Sequence, residues 1–224
     1  MTLDELKALL PTSQVLEIEF TDKVGYKNSK LGGNYYWKDK DTVPKEYIFL
    51  AQINFSELPE NDIFPKKGLL QFFILNDDCY GLFSEDKDGY KVVYHEDIED
   101  EGLEVLGDRT IEYSPLYNTD LGMKFTVKEE CLSYQDFRFY DYFDGDLTDE
   151  MYEELDGSGS KILGYPAFTQ EDPRQNDKYD TLLLQLDSDK NMMWGDSGVA
   201  NFFINSEKLR QGDFSDILYN WDCC

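Results

Sequence analysis

Cysteine and histidine are both scarce in this chain of 224 residues, which has four cysteines and one histidine. Two of the cysteines, Cys223 and Cys224, are adjacent, whereas Cys79 and Cys131 stand alone. This spacing is typical neither of a disulfide framework nor of a Cys-x-x-Cys metal site. We therefore expect free thiols, and the sequence predicts neither a metal nor a cofactor.

Positive charge is scarce as well. The sequence has 21 Lys and Arg against 47 Asp and Glu, which gives a formal net charge of −26. Such a chain repels the phosphates of nucleic acids and the headgroups of anionic membranes, so neither is expected as a partner. A macromolecular partner is instead expected to be a basic protein.

Long apolar runs are missing too. No stretch of the sequence is long enough to span a bilayer. The chain begins with MTLDELKALLP, an acidic amphipathic segment that lacks the basic and apolar regions of a signal peptide. We therefore expect a cytoplasmic protein, and none of these features indicates its oligomeric state.

Aromatic residues, in contrast, are abundant. The chain has 16 Tyr and 15 Phe, a bias that favours strands over helices. Leu16, Ile18 and Phe20 alternate with polar residues, as in a strand with one face in the core. Residues 86–89, Asp-Lys-Asp-Gly, are typical of a hairpin turn. Residues 102–146 have no clear period, so no element is assigned there.

Two short helices are predicted. Thr2 and Glu5 have the spacing of a capping box at the start of the first. The second is expected over residues 148–155, where Thr caps the start and Gly157 ends the helix.

An internal repeat is the most informative feature. The stretches GLLQFFI (68–74) and GVANFFI (198–204) share the pattern G-x-x-[QN]-F-F-I. Further blocks recur in the same order: KLGGNYYW (30–37) with KILGYPAF (161–168), FLAQI (49–53) with LLLQL (182–186), and VVYHED (92–97) with ILYNWD (217–222). We predict two tandem repeats, about 31–97 and 163–222, with both Phe-Phe pairs buried and residues 217–222 in a paired strand.

The tetrapeptide Gly-Asp-Ser-Gly at residues 195–198 is the sequence around the nucleophile of trypsin-like proteases, and His95 precedes it as in that family. A hydrolase would use Ser197 as nucleophile and His95 as base. The repeat favours a different interpretation, because it places the tetrapeptide at the entrance to a strand, where Asp, Ser and Gly are common in turns. It also aligns His95 with Asn220. We therefore predict a structural turn.

A calcium loop is considered and not favoured. Asp187, Asp189 and Asn191 match the start of an EF-hand loop. Met192 and Gly198, however, stand where that loop requires Gly and the bidentate Glu. A solvated acidic loop is the simpler interpretation.

Candidate binding residues come from the segments that the repeat brings into correspondence. They are His95, Trp194, Asp196, Ser197, Asn220, Trp221 and Asp222. No catalytic residue is assigned. The tryptophans could line an aromatic pocket, although burial in the core is the more common role of this residue type.

Seven ordered motifs resemble those of the YwqG family. They are LGGNYYW, FLAQINFSELP, GLLQFFI, LGYPAFTQEDPR, LLLQLDSD, MWGDSGVANFFI and ILYNWDC. The resemblance runs from about Leu31 to the end and is weakest over residues 102–150. Members of this family are mostly bacterial, cytoplasmic proteins of unknown function. The resemblance therefore implies a single α+β domain with a duplicated β-rich core. The association of some members with toxin and immunity loci implies a role in binding a protein toxin.

The sequence therefore predicts one α+β domain over residues 1–224, β-rich, with mainly antiparallel strands and a few short helices. Its expected function is that of a protein-binding module of the immunity type that binds a basic partner. The alternative is a small-molecule-binding or hydrolytic enzyme. Its site would be a cleft between the two repeats, where His95, Asn220, Asp222 and the 195–198 turn converge.

Overall fold

The computed structural model describes residues 1–82, 89–99, 101–107, 112–117 and 119–224. The predicted hairpin turn at residues 86–89 lies outside these ranges except for Gly89.

Short helices and many strands make up the described part of the chain. The helices are α1 (Leu3–Lys7), α2 (Asp149–Glu154) and α3 (Ser206–Gln211). The strands are β1 (Thr12–Thr21), β2 (Lys30–Gly32), β3 (Tyr35–Trp37), β4 (Tyr47–Asn54), β5 (Leu69–Leu75), β6 (Tyr90–His95), β7 (Leu103–Val105), β8 (Asp120–Cys131), β9 (Lys161–Leu163), β10 (Thr181–Asp187), β11 (Val199–Ile204) and β12 (Ile217–Asp222).

Ten strands form one antiparallel sheet in the order β12-β11-β10-β9-β1-β8-β2-β4-β5-β6. The other two, β3 and β7, pair with each other and form a small second layer. The large sheet curls until its edge strands face each other: the Tyr90 hydroxyl donates to the carbonyl of Ile217. We call this line of contact between β6 and β12 the seam. The prediction of a single, mainly antiparallel β-rich domain with few short helices is confirmed.

Both Phe-Phe pairs are fully buried, as predicted. Phe72 on β5 and Phe202 on β11 point into the curled sheet, where their ring centroids are 5.0 Å apart. Phe73 and Phe203 point to the outer face. The β3–β7 layer covers Phe73, and the segment around Phe168 covers Phe203. Burial of each ring contributes about 2 kcal/mol or more, so these pairs fix which face of each strand is inside.

The two predicted helices are present, with the predicted caps. Thr2 and Glu5 form the capping box of α1, and the Thr148 hydroxyl accepts from the N–H of Met151 at the start of α2. The third helix, α3, is not predicted from the sequence. Asn205 caps its start, and Gly212 ends it in the left-handed conformation.

The unassigned region contains β8, which pairs with β1 from Thr12 opposite Cys131 to Thr21 opposite Gly122. These two strands form the centre of the large sheet. At the sheet's edge, β12 pairs with β11 along its whole length, which confirms the prediction of a paired strand near the end of the chain.

Candidate functional site

The Gly-Asp-Ser-Gly segment forms an exposed turn directly before β11, as predicted. The N–H of Gly198 donates to the carbonyl of Trp194 at 2.7 Å. Ser197 has a φ of +71°, a left-handed conformation that is uncommon for a residue with a Cβ. Gly198 lies so close to the backbone of Asp222 that no side chain fits there. The tetrapeptide is therefore explained by chain geometry.

The end of β12 lies beside this turn, so the structure brings most of the candidate residues together. The rings of Trp194 and Trp221 have centroids 6.3 Å apart. Cys223 packs against the backbone of Gly195 in the turn. An open pocket of about 530 Å³ is lined by Leu82, Gln170, Glu171, Asn220, Trp221 and Asp222.

Two polar groups of this cluster have structural partners, whereas the buried indole nitrogen of Trp194 has none among the described residues. The Asp222 carboxylate accepts from the N–H and the hydroxyl of Thr169, both at 2.9 Å, and from the N–H of Gln170 at 3.2 Å. The Trp221 indole donates to the carbonyl of Cys79 at 2.8 Å. These bonds join the last strand to two distant loops, which is a structural role.

His95 lies apart from the other candidates. The ring of Tyr94, which precedes it, packs against Phe214 at a centroid distance of 4.9 Å. Phe214 comes before β12, whereas Asp222 ends that strand. At about 3.3 Å per residue, this separation along the seam is on the order of 20 Å. The structure therefore does not show the predicted convergence of His95 with the 195–198 turn.

The bonds of His95 define its protonation state. Its Nε2 lies 2.9 Å from Oε1 of Gln71. Because the Gln71 amide nitrogen donates to Tyr36 and to Gln52, its oxygen is the acceptor and His95 carries the proton on Nε2. Burial, with Lys38 nearby, lowers the pKa of His95 to about 4. The imidazole is neutral at pH 7 and has no contact with Ser197, so the two do not form a nucleophile–base pair.

A cleft of about 480 Å³ follows the seam. It is lined in part by Tyr90, Val92, Phe214, Asp216 and Tyr219. Asp216 accepts a hydrogen bond from the Tyr179 hydroxyl at 2.8 Å and pairs with Lys178 at 3.1 Å. None of the seven candidate residues is among the described residues that line this cleft.

Two almost fully buried lysines each hold a carboxylate. Lys30 Nζ lies 2.6 Å from Oδ1 of Asp120, and Lys161 Nζ lies 3.0 Å from both oxygens of Glu130. Although burial opposes the shift, hydrogen bonds from Lys23 and Lys30 lower the pKa of Asp120. Burial lowers the pKa of Lys161, and Glu130 opposes that shift. Neither lysine is a sequence candidate, although each opens a block of the repeat, and that coincidence is the signal that could have identified them.

The fold and these sites define a single-domain, mainly antiparallel β-protein in which Ser197 and His95 lie far apart. The chain belongs to the family described as Domain of unknown function (DUF1963), whose model matches residues 29–223. A comparison with curated proteins gives no match.

Two searches of the described ranges give negative results. They contain no group of three or more His, Cys, Asp and Glu side chains that could hold a metal ion. No helix within them has the length and apolar character needed to cross a membrane.

Proposed function

We propose that this protein is a protein-binding module whose partner is a basic protein. A segment of unbalanced charge carries the proposal: between Arg138 and Lys161 the sequence has eight acidic residues and no basic one. Seven of the eight are exposed. Among the described residues, only Glu154 of this set is ion-paired, with Lys7 at 2.7 Å. We call the exposed surface of residues 140–154 the acidic face.

Exposed tyrosines lie within the acidic face. Tyr140, Tyr142 and Tyr152 are 70%, 49% and 45% exposed. Tyrosine is enriched at protein interfaces because its ring offers large contact area with little loss of side-chain entropy, and its hydroxyl can hydrogen-bond. Together with the carboxylates, these rings suit a partner surface that is rich in Lys and Arg, which can stack on rings as well as pair with acids.

A small core holds the acidic face in place. Phe139, Met151 and Leu155 point inward and pack with Leu6 of α1 and Leu132. The carboxylates therefore extend from a folded support, so little chain ordering opposes binding.

The acidic run at residues 96–101 contributes less to this function. In the part of the run that the structure describes, Asp97 pairs with Lys67 and Glu99 with Lys38, both at 2.6 Å. These lysines neutralise part of the charge of the run at residues 96–101. Most carboxylates of the acidic face have no such partner among the described residues.

The family resemblance supports a more specific role. We infer that the family match and the YwqG resemblance concern the same group of proteins, whose association with toxin and immunity loci favours a cytoplasmic protein of the immunity type. The basic partner would then be a toxin.

We also infer that the large sheet arose by duplication, with repeats at about 31–97 and 163–222. The strand order supports this: counted from its two edges, β6, β5, β4, β2 and β12, β11, β10, β9 occupy matching places. The strands β8 and β1 lie between the two sets. Each matching strand pair contains one pair of the sequence blocks.

Matching hydrogen bonds support the same inference. Gln71 on β5 donates to the carbonyl of Tyr36 at 2.7 Å, and Asn201 on β11 donates to the carbonyl of Ala167 at 2.9 Å. Tyr36 and Ala167 come from the aligned blocks that begin with the two buried lysines.

The strand register corrects one detail of the alignment. His95 lies opposite Leu69, and Asp222 lies opposite Val199, the residue that the Phe-Phe motifs align with Leu69. Under the proposed duplication, Asp222 and not Asn220 would correspond to His95. The sequence alignment is shifted here because few positions of an edge strand require a particular side chain. The register, in contrast, is set by pairing with the neighbouring strand.

Capture from a native lysate at low and high salt, followed by mass spectrometry, tests the proposed partner. The test variant neutralises the acidic face with Asp141→Asn, Asp144→Asn, Asp146→Asn, Glu150→Gln and Glu153→Gln. The control makes the same change in net charge elsewhere, with Glu60→Gln, Asp62→Asn, Glu101→Gln, Glu112→Gln and Glu171→Gln.

We expect a basic protein that is retained at low salt by the wild type and the control, and lost from the test variant and at high salt. Recovery of no basic protein, or equal retention by both variants, would contradict the proposal.

A further inference from the structure

A cavity between β3, β4 and the segment after β7 is built from residues other than those of the acidic face and the seam. We call it the β3 pocket. Its volume is about 360 Å³, which lies within the range of small-molecule sites. Polar and apolar groups both line it, and the apolar part of the walls includes Val43, Phe49, Val105, Leu106 and Leu116. A site of this kind holds the apolar body of a ligand.

Tyr35 lines the pocket and provides a hydroxyl group there. The residue is 6% exposed, and no described residue hydrogen-bonds to its hydroxyl. Burial raises the pKa of this hydroxyl to about 12, so it stays protonated and is available as a donor. The hydroxyl is therefore open to the pocket, where an acceptor group of a ligand can take the place of water.

The neighbours of Tyr35 on the same strand show the contrast. The Tyr36 hydroxyl accepts from the N–H of Glu99 at 3.1 Å. The Trp37 indole donates to the Thr42 hydroxyl at 3.0 Å. Both side chains have protein partners, whereas the Tyr35 hydroxyl faces a pocket.

The charge around the pocket also differs from that of the rest of the protein. Of the chain's 224 residues, 47 are Asp or Glu, yet none of the described residues that line the pocket is acidic. Among the described lining residues the charged one is Lys45, which is exposed. Leu106 on the wall is 74% exposed and offers apolar surface for a ligand to cover. This environment favours an anion over a cation.

We propose that the β3 pocket binds a small organic acid with an apolar body, whose carboxylate accepts a hydrogen bond from the Tyr35 hydroxyl and is attracted by Lys45. The apolar walls and Leu106 receive the body of the ligand. The site is independent of the acidic face and of the protein partner proposed for it.

Isothermal titration of the full-length protein with 1-naphthoate and with octanoate tests the site, with 1-naphthalenemethanol as the uncharged comparison. The test variants are Tyr35→Phe and Lys45→Gln. The controls are Tyr26→Phe, whose hydroxyl donates to the carbonyl of Gly102, and Lys190→Gln, which lies outside the pocket lining.

We expect at least one of the two acids to bind, and naphthoate to bind more tightly than the alcohol. Tyr35→Phe should weaken binding of the acid about tenfold, and Lys45→Gln about threefold. Both controls should bind like the wild type. Tyr35→Phe should unfold at the same temperature as the wild type or higher, because no protein hydrogen bond is lost, so weaker binding cannot be assigned to misfolding.

Three outcomes would overturn the proposal. The first is that neither acid binds to the wild type. The second is that Tyr35→Phe binds the acid as tightly as the wild type does. The third is that the alcohol binds as tightly as naphthoate.

Discussion

The imidazole of His95 donates through Nε2 to the side-chain amide oxygen of Gln71 at 2.9 Å. The ring also packs edge-on against Tyr36 and Trp37, each with a centroid distance of 5.2 Å. Gln71 is fully buried on β5, and the two aromatic residues belong to β3, in the small layer. The single histidine of the chain therefore joins the small layer to the large sheet as an uncharged group.

This relationship predicts a pH dependence of stability. The pKa of His95 is lowered to about 4 from 6.5 by burial and by Lys38, so the unfolded chain binds a proton more readily than the folded protein. The stability from the neutral ring is complete above pH 6.5 and is lost as the pH falls toward 4. Because the ring is partly exposed, we expect acidification to lower its contribution to the free energy of unfolding by about 1 to 2 kcal/mol.

Urea unfolding of the wild type and of His95→Gln between pH 7 and pH 4.5 measures this loss. Because many carboxylates titrate near the lower end of this range, the difference between the two proteins is the relevant quantity. The wild type should be more stable at pH 7, and its advantage should shrink on acidification. An advantage that stays constant or grows would show that the ring is not held neutral.

Ser197 is predicted to be replaceable. Its φ of +71° is unfavourable for an L-residue by about 1 to 2 kcal/mol, a penalty that glycine avoids in part. Ser197→Gly should therefore raise the free energy of unfolding by about 0.5 kcal/mol, and Ser197→Ala should change it by less than about 1 kcal/mol. Thermal unfolding measures both. Covalent labelling of Ser197 by a fluorophosphonate probe would contradict the assignment to a turn.

The last strand is predicted to be essential for folding. Removal of the chain from Asp216 onward deletes β12, exposes the edge of β11 and uncovers Phe202, which stacks on Tyr219 at 4.7 Å. An unpaired edge beside exposed aromatic rings favours aggregation. We expect insoluble protein from this truncation, whereas removal of Cys223 and Cys224 alone should leave it soluble. Soluble, folded protein from the longer truncation would refute this role of β12.

The elements predicted correctly are those whose signals are local. The capping box at Thr2 and Glu5 and the turn before β11 depend on neighbours within four residues, so the sequence shows them directly. The two Phe-Phe motifs also identify buried strands, because adjacent residues of a strand point to opposite faces and both rings are buried when both faces are covered. These features are enough for the fold class.

The missed features depend on contacts between distant segments. Lys124 and Lys128 of β8 are themselves exposed, so this strand lacks the apolar character of β5. Its pairing with β1 therefore cannot be predicted from the local sequence. The Lys161–Glu130 pair joins strands that are not neighbours in the sheet. The position of His95 depends on how the sheet curls, which no alignment of blocks reveals. The β3 pocket likewise forms only when β3, β4 and the segment after β7 meet.

The two buried lysine–carboxylate pairs should be strongly coupled, unlike exposed pairs on the same sheet. Lys161→Met leaves the Glu130 carboxylate with the N–H of Tyr165 as its remaining partner, in a site where the lysine is only 2% exposed. We expect Lys161→Met to lower the free energy of unfolding by about 3 kcal/mol. The double variant Lys161→Met/Glu130→Gln should recover most of this loss, because the unpaired charge is then absent.

The exposed pair Lys128–Glu17 at 2.7 Å is the control, since it likewise joins a lysine to a carboxylate on the large sheet and involves β8. Its two side chains are 56% and 47% exposed, so Lys128→Met should lower the free energy of unfolding by less than about 1 kcal/mol. Urea unfolding at pH 7 gives the coupling energies from the two double-mutant cycles. The cycle of Lys30→Met with Asp120→Asn should also exceed the exposed one, although Lys23 at 2.5 Å remains a partner of Asp120 in Lys30→Met. Equal coupling energies in the buried and exposed cycles would show that burial of these lysines has no energetic consequence.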